Sequence, residues 1–105
     1  MAKWKIRKAT LEDIEQIHRI INHLAKEHIL LPRSLSDLYE TVRDFFVAEQ
    51  DNRILGCCAL RPIWKDIGEI RSLGVLEPYQ GQGIGSEFIM RCLEEARSLK
   101  MKSGI

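Results

Sequence analysis

The stretch Val75-Leu76-Glu77-Pro78-Tyr79-Gln80-Gly81-Gln82-Gly83-Ile84-Gly85-Ser86 constrains the fold of this chain more than any other. A hydrophobic strand runs into a proline-containing turn. Three glycines at every second position then lead straight into an amphipathic helix. Glycine has no Cβ, so the backbone there turns sharply and lets a ligand come close. The helix after the turn presents its unpaired N-terminal N–H groups and the positive end of its dipole to that space. The segment predicts a phosphate cradle, against the alternative of a glycine-rich turn that holds nothing.

The 105 residues suit one domain, 1–105, with 45% hydrophobic and 30% charged residues. A chain of this length buries about 65% of the surface it exposes when unfolded, enough for a modest core. Net charge is +1, from 16 basic and 15 acidic residues mixed along the chain. That balance argues against nucleic acid or a membrane surface as partner. Lys3, Lys5, Arg7 and Lys8 alternate in part with Trp4 and Ile6 and read as the solvent face of an edge strand. Of the three cysteines, Cys57 and Cys58 are adjacent and point to opposite faces of a strand, so they share neither a metal nor a disulfide. With Cys92 the count is odd and has no ligand spacing, which fits a reducing cytoplasm. No signal-like stretch and no run near ~18 apolar residues occurs, so a cytoplasmic protein is expected.

Residues 3–8 predict a short strand. Thr10 with Asp13 forms a capping-box-like start, and Leu11, Ile14, Ile17, Ile21 and Leu24 come after it at helical spacing. Leu30-Leu31-Pro32-Arg33 breaks that helix, and Ser34 with Asp37 caps a second one running to about Val42. Two strands come next at 45–49 and 53–63, joined by the turn Asp51-Asn52, with Gly56 marking a bulge or close packing. A break near Trp64–Asp66 leads to a third strand, 67–76. The last helix carries Ile84, Phe88, Cys92, Ala96 and Leu99 on one stripe and ends near Lys100. A parallel strand normally succeeds such a crossover helix. Here it is missing or barely begun, and the chain reads as cut short.

A triphosphate loop needs Gly-Lys-Ser/Thr, whereas Ser86-Glu87 comes after Gly85 here. A dinucleotide fingerprint needs another glycine at Ser86 and several parallel strand–helix units, against the antiparallel meander predicted here. Gln80-Gly81-Gln82-Gly83-Ile84-Gly85 instead resembles the Gln/Arg-x-x-Gly-x-Gly/Ala motif of the GNAT superfamily of acetyl-CoA-dependent N-acetyltransferases. The preceding Val-x-Pro-x-Tyr turn and the element order from residue 1 match as well. The resemblance implies an α/β (α+β) fold. Its sheet is mixed and mostly antiparallel, with helices on both faces, and it lacks the C-terminal strand–helix–strand portion. Leu30-Leu31-Pro32-Arg33-Ser34 and Gly68-Glu69-Ile70-Arg71-Ser72-Leu73-Gly74-Val75 look like the acetyltransferase domain of N-acetylglutamate synthases and related amino-acid N-acetyltransferases, enzymes of arginine biosynthesis.

By that resemblance the loop amides of Gln82, Gly83, Gly85 and Ser86 hold the pyrophosphate of coenzyme A. Gln80, Gly81 and Ile84 complete the cradle, and the backbone of Leu73, Gly74 and Val75 pairs with the pantetheine arm. A backbone N–H near Gly74 or Val75 polarises the thioester carbonyl. Glu69 matches the position of the base that deprotonates the amine; the alternative, which the match ranks second, is an ion pair with Arg71 on the same strand face. Arg33, Lys65 and Arg71 are the candidates for gripping a substrate carboxylate. For Arg33 the alternative is a solvated loop arginine, and for Lys65 and Arg71 a surface charge. No metal is expected, because His18, His23 and His28 step ~140° apart round a helix. Trp4 and Trp64 read as core or edge packing.

The family continues past the cradle helix into further strands and a helix, which usually supply the tyrosine that protonates the thiolate. None of that region is in this sequence, nor is an amino-acid kinase domain. Three readings stand. The chain is part of an amino-acid N-acetyltransferase, or a short protein that binds coenzyme A or acetyl-CoA without efficient turnover, or one whose sheet is completed by a second copy or another chain. A non-catalytic interaction domain with a vestigial cradle is the alternative from another class.

Overall fold

The computed structural model describes residues 3–101 together with Ser103 and Gly104. In chain order the elements are β1 (Lys5–Lys8), α1 (Ile14–Lys26), α2 (Leu35–Glu40), β2 (Phe45–Gln50), β3 (Arg53–Trp64), β4 (Ile67–Val75), α3 (Ile84–Ser98) and β5 (Ser103–Gly104). Single 3-10 turns at Leu11–Asp13, Val42–Asp44 and Glu77–Tyr79 join them. The sheet order is β1-β2-β3-β4-β5, antiparallel except for the last pair, where Ile67 and Gly68 meet Ser103 and Gly104 in parallel. This is the expected mixed, mostly antiparallel sheet, with a two-residue parallel strand at one edge.

Strand alternation divides the core into two layers. Phe45, Val47 and Cys57 face α1, where Ile14, Ile17, Ile21 and Leu24 cover them. Their neighbours Phe46, Ala48 and Cys58 point the other way and meet Ile84, Phe88, Cys92 and Ala96 of α3. Cys57 and Cys58 thus lie on opposite faces, all three cysteines are free, and Cys58 Sγ touches Cys92 Sγ at 3.6 Å. Burial pushes the Cys57 thiol up to about 12, out of the reactive range.

Local chemistry sets the helix starts. The Thr10 N–H donates to Asp13 Oδ2 at 2.7 Å, and the Asp37 N–H donates to Ser34 Oγ at 3.1 Å. Asp51 and Asn52, both at positive φ, make the tight β2–β3 turn. Beside Gly56 the β2–β3 register slips, and a Cβ on Gly56 would stand 2.6 Å from the Gly74 carbonyl oxygen, so both predicted meanings of this glycine hold.

Several expectations need correction. Leu11 lies in the 3-10 turn before α1 and is exposed, because its turn has not yet taken up the helical phase that buries Ile14 and Ile17. Leu99 is exposed because α3 stops at Ser98. α1 ends at Lys26, four residues before the predicted break, with His28 in the left-handed conformation. Trp4 is half-buried against the α3 layer, but Trp64, at the end of β3, is exposed. β1 is indeed an edge strand with Lys5 and Lys8 exposed, yet Arg7 is no solvent-facing charge. It grips Asp13 at 2.8 Å and Glu49 at 2.9 Å and so ties β1 to the start of α1.

Candidate functional site

β4 leads out of the sheet toward the glycine turn. Gly81 (φ 80) and Gly83 (φ 91) adopt the left-handed conformation that residues with a Cβ avoid, and Gly83 caps α3. The first helical bond of α3 runs from the Glu87 N–H to the Gly83 carbonyl at 3.0 Å. The amides before it, up to Ser86, lie outside the helical ladder and carry the positive end of the dipole. They open on a hollow of about 290 Å³ lined by Val75, Tyr79, Gln80, Gly81, Gly83, Ile84, Gly85 and Ser86. Six of the seven predicted cradle residues come together there; Gln82 is exposed in the loop and does not line the hollow. A Cβ on Gly85 would meet nothing within 4 Å. Its neighbour Ile84 turns inward and buries its side chain in the α3 layer.

Gln80 has a definite task. Its Nε2 donates to the Val75 carbonyl at 2.9 Å, bracing the end of β4 against the turn. Of the other predicted coenzyme residues, Leu73 and Val75 pack half-buried on the α3 layer, and Gly74 lies beneath Leu24 of α1. Beyond Gly68 the outer side of β4 has no strand neighbour among the described residues.

Before this segment β4 is bulged. Arg71 pairs with Ala59 and Gly74 with Cys57, so Ser72 and Leu73 together oppose Cys58. Ser72 carries the distortion at φ 55. Nothing in the sequence signals this, since the residue in the left-handed position is not glycine.

On the α1–α2 side of the sheet, β4 borders a larger cleft of about 690 Å³. Glu69, Arg71 and Ser72 contribute from β4, Arg61 from β3, Asp37 from α2, and residues 29–33 from the α1–α2 loop. Three arginines against two carboxylates make it net cationic. Arg33 is no solvated loop arginine: its side chain is 15% exposed and lies over the Phe45 ring. It donates to Asp37 Oδ2 at 2.6 Å, Thr41 Oγ1 at 3.0 Å and Ser72 Oγ at 3.2 Å. Its guanidinium holds the Asp37 carboxyl below the usual range.

Arg71 and Glu69 are hydrogen-bonded to each other, so the ion pair weighed for Glu69 is formed. Lys65 sits in the β3–β4 turn and does not line the cleft. Sequence reasoning missed Arg61, paired with Asp44 at 3.3 Å, and Tyr79 in the cradle. Only the pairing of Arg61 with Glu69 across β3 and β4 brings Arg61 to the cleft. His23, Glu27 and Glu77 form an exposed group with ligand atoms within 4.8 Å, and the group lines neither the cleft nor the cradle. No helix among the described residues is long and apolar enough to cross a membrane.

A family model described as "Acetyltransferase (GNAT) family" matches residues 11–104. An uncharacterized N-acetyltransferase of Chlorobaculum tepidum is 38% identical over 95% of this chain and 62% of its own. An amino-acid acetyltransferase of Mycobacterium tuberculosis is 37% identical over 92% of this chain and 57% of its own. Among solved structures, N-acetylglutamate synthase from Neisseria gonorrhoeae, complexed with coenzyme A and N-acetyl-glutamate, superposes with a TM-score of 0.89 at 32% identity. That match covers 96% of this chain and 24% of the synthase. The chain therefore spans about three-fifths of the curated relatives named here and a quarter of the synthase. The match runs through the glycine turn and the bulged strand alike, and the chain belongs to the acetyltransferase (GNAT) family.

Proposed function

We propose that this chain forms the coenzyme cradle and part of the acceptor cleft of an enzyme that transfers acetyl from acetyl-CoA to the α-amine of a small amino acid, with glutamate the first candidate. The observation that carries the reading is that one strand borders both sites: Glu69, Arg71 and Ser72 line the cleft, and Val75 lines the cradle. The named relatives point the same way, one being an amino-acid acetyltransferase and one a synthase holding coenzyme A and N-acetyl-glutamate.

In this reading the pyrophosphate of coenzyme A sits on the amides of Gly83–Ser86, with Gln82 at the rim. The open space at Gly85 fits the group, since no side chain fills it. The pantetheine arm would run along the outer side of Leu73–Val75, and an N–H of Gly74 or Val75 would meet the oxyanion as the amine attacks the thioester; the C–S bond then breaks and the coenzyme leaves as a thiolate that takes a proton from solvent. Arg71 and Arg61 hold the substrate carboxylate, with the N–H groups of Arg33 that no protein group uses. A carboxylate that draws Arg71 to itself frees Glu69 to take the ammonium proton through water. A second copy or a further segment would extend the sheet beside Ile67 and Gly68, leaving the outer side of Leu73–Val75 to the pantetheine arm. The three buried free thiols support a cytoplasmic location, and the product would serve arginine biosynthesis.

An acetyl-CoA turnover screen against free amino acids, run on this chain and on a longer one, tests the reading. The expected result is turnover with acidic amino acids and none with basic ones. A preference for basic or neutral amines would overturn the substrate assignment. The Glu69–Arg71 pair favours a second reading, a coenzyme-binding domain without efficient catalysis. Tight coenzyme A binding with no turnover by the longer chain would select it.

A further inference from the structure

Arg33 belongs to the cleft, yet its longest reach is toward the coenzyme strand. Its guanidinium is anchored on α2: Asp37 accepts at 2.6 Å and Thr41 at 3.0 Å, and the Thr41 hydroxyl in turn donates to the Asp37 carbonyl at 2.8 Å. From that anchor a remaining N–H crosses to Ser72 Oγ at 3.2 Å, 39 residues away in sequence. Ser72 needs holding. A non-glycine residue at φ 55 is strained and persists only where its surroundings impose it. Two contacts do so, Arg33 on its hydroxyl and the Cys57 thiol on its carbonyl at 3.4 Å.

The conformation of Ser72 governs the end of the strand. A one-residue bulge reverses the side-chain alternation of its strand, so Ser72 sets which way Leu73, Gly74 and Val75 face. With the bulge in place, Leu73 and Val75 pack on the α3 layer and Gly74 lies under Leu24. At the other end of this segment Gln80 holds the Val75 carbonyl. The three residues are therefore clamped from both sides, by Ser72 with Arg33 behind it and by the glycine turn itself.

We propose that Arg33 is a positioning residue for the coenzyme side of β4: it locks Ser72 in the left-handed bulge and thereby sets the backbone of Leu73–Val75. Because Arg33 also lines the acceptor cleft, one side chain links the two sites. The functional side of this inference rests on the proposed coenzyme site. Its structural side does not.

The test uses the whole chain with Arg33→Lys, Ser72→Ala and the double variant. Arg33→Lys keeps the charge and loses the planar fork; Ser72→Ala deletes the hydroxyl from the same contact. Without ligand, amide hydrogen exchange at Gly74–Leu76 is expected to quicken about tenfold in each single variant, with Lys5–Lys8 of β1 unchanged. The double variant should exchange no faster at Gly74–Leu76 than Arg33→Lys alone, since both substitutions remove the same Arg33–Ser72 bond. Coenzyme A affinity, measured by calorimetry, should fall in parallel. Unchanged exchange at Gly74–Leu76, or effects that add in the double variant, would overturn the proposal. So would Arg33→Lys leaving coenzyme A affinity intact while the chain binds the coenzyme. If the unaltered chain binds no coenzyme A, the proposed function fails while the exchange result still decides the role of Arg33. Should Arg33→Lys unfold the chain, Ser72→Ala carries the test alone.

Discussion

Gly85 offers a way to separate folding from binding at a single position. It is the second residue of α3, its φ is not positive, and a Cβ there meets nothing within 4 Å. No local strain and no close neighbour requires glycine. In a helix interior, alanine is favoured over glycine by about 0.8–1 kcal/mol. In the first turn, where fewer dihedral angles are fixed by hydrogen bonds, about half of that is expected. Gly85→Ala should therefore raise Tm by about 2–4 °C, given about 4–8 °C per kcal/mol for a domain near this size. The motif admits alanine at this position, so coenzyme A binding should survive. Gly85→Leu keeps the gain in helix propensity but projects a branched side chain into the 290 Å³ hollow. Losing one charge-assisted hydrogen bond to the pyrophosphate costs about 1.5–3 kcal/mol, or roughly 10–150-fold in Kd. Thermal melts and coenzyme A calorimetry on both variants check this. A Gly85→Leu protein that binds coenzyme A within twofold of the original would refute the cradle argument. A fall in Tm for Gly85→Ala would refute the claim that the space is open.

Three further outcomes rest on contacts elsewhere in the fold. Glu69→Gln should lower kcat about 100-fold in a chain that turns over, with coenzyme A affinity unchanged, as stopped-flow kinetics and calorimetry would read. Gly56→Ala should destabilise by about 1–3 kcal/mol in urea melts, because its Cβ would press on the Gly74 backbone rather than on a flexible side chain. Burial raises the Asp13 carboxyl, but hydrogen bonds from Arg7 and Thr10 outweigh that and hold it below the ordinary range. A carboxylate depressed on folding contributes stability that is full above its unfolded value, about pH 4, and is lost as pH falls through its folded value. Arg7→Met should thus cost about 2–3 kcal/mol near neutral pH, and the difference should shrink progressively in melts as pH falls below about 4.

The sequence patterns that were legible are those written in local chemistry. Helical spacing of isoleucines, caps at Thr10 and Ser34, the Asp51-Asn52 turn and the glycine cradle each depend on residues within a few positions of one another. Adjacent cysteines read correctly as facing opposite layers for the same reason. What escaped was set by distant partners. Arg7 reads as surface until β2 brings Glu49 beside it. For Arg33 the sequence offers a carboxylate grip or a loop arginine, but not its contact with Ser72, which only the β4 bulge supplies. The bulge itself is silent in sequence because a serine, not a glycine, takes the left-handed position. Leu11 and Leu99 fit the helical stripe but fall outside the α-helices, where a stripe no longer means burial.

The central claim is that the glycine turn and the bulged end of β4 together hold coenzyme A. A titration of the isotope-labelled chain with coenzyme A, monitored amide by amide in NMR, tests it most directly. The account predicts saturable shifts at Gln82–Ser86 and at Leu73–Val75, with the far strand β1 unmoved. Absence of shifts in a folded chain, or shifts confined to residues outside those two segments, would contradict it.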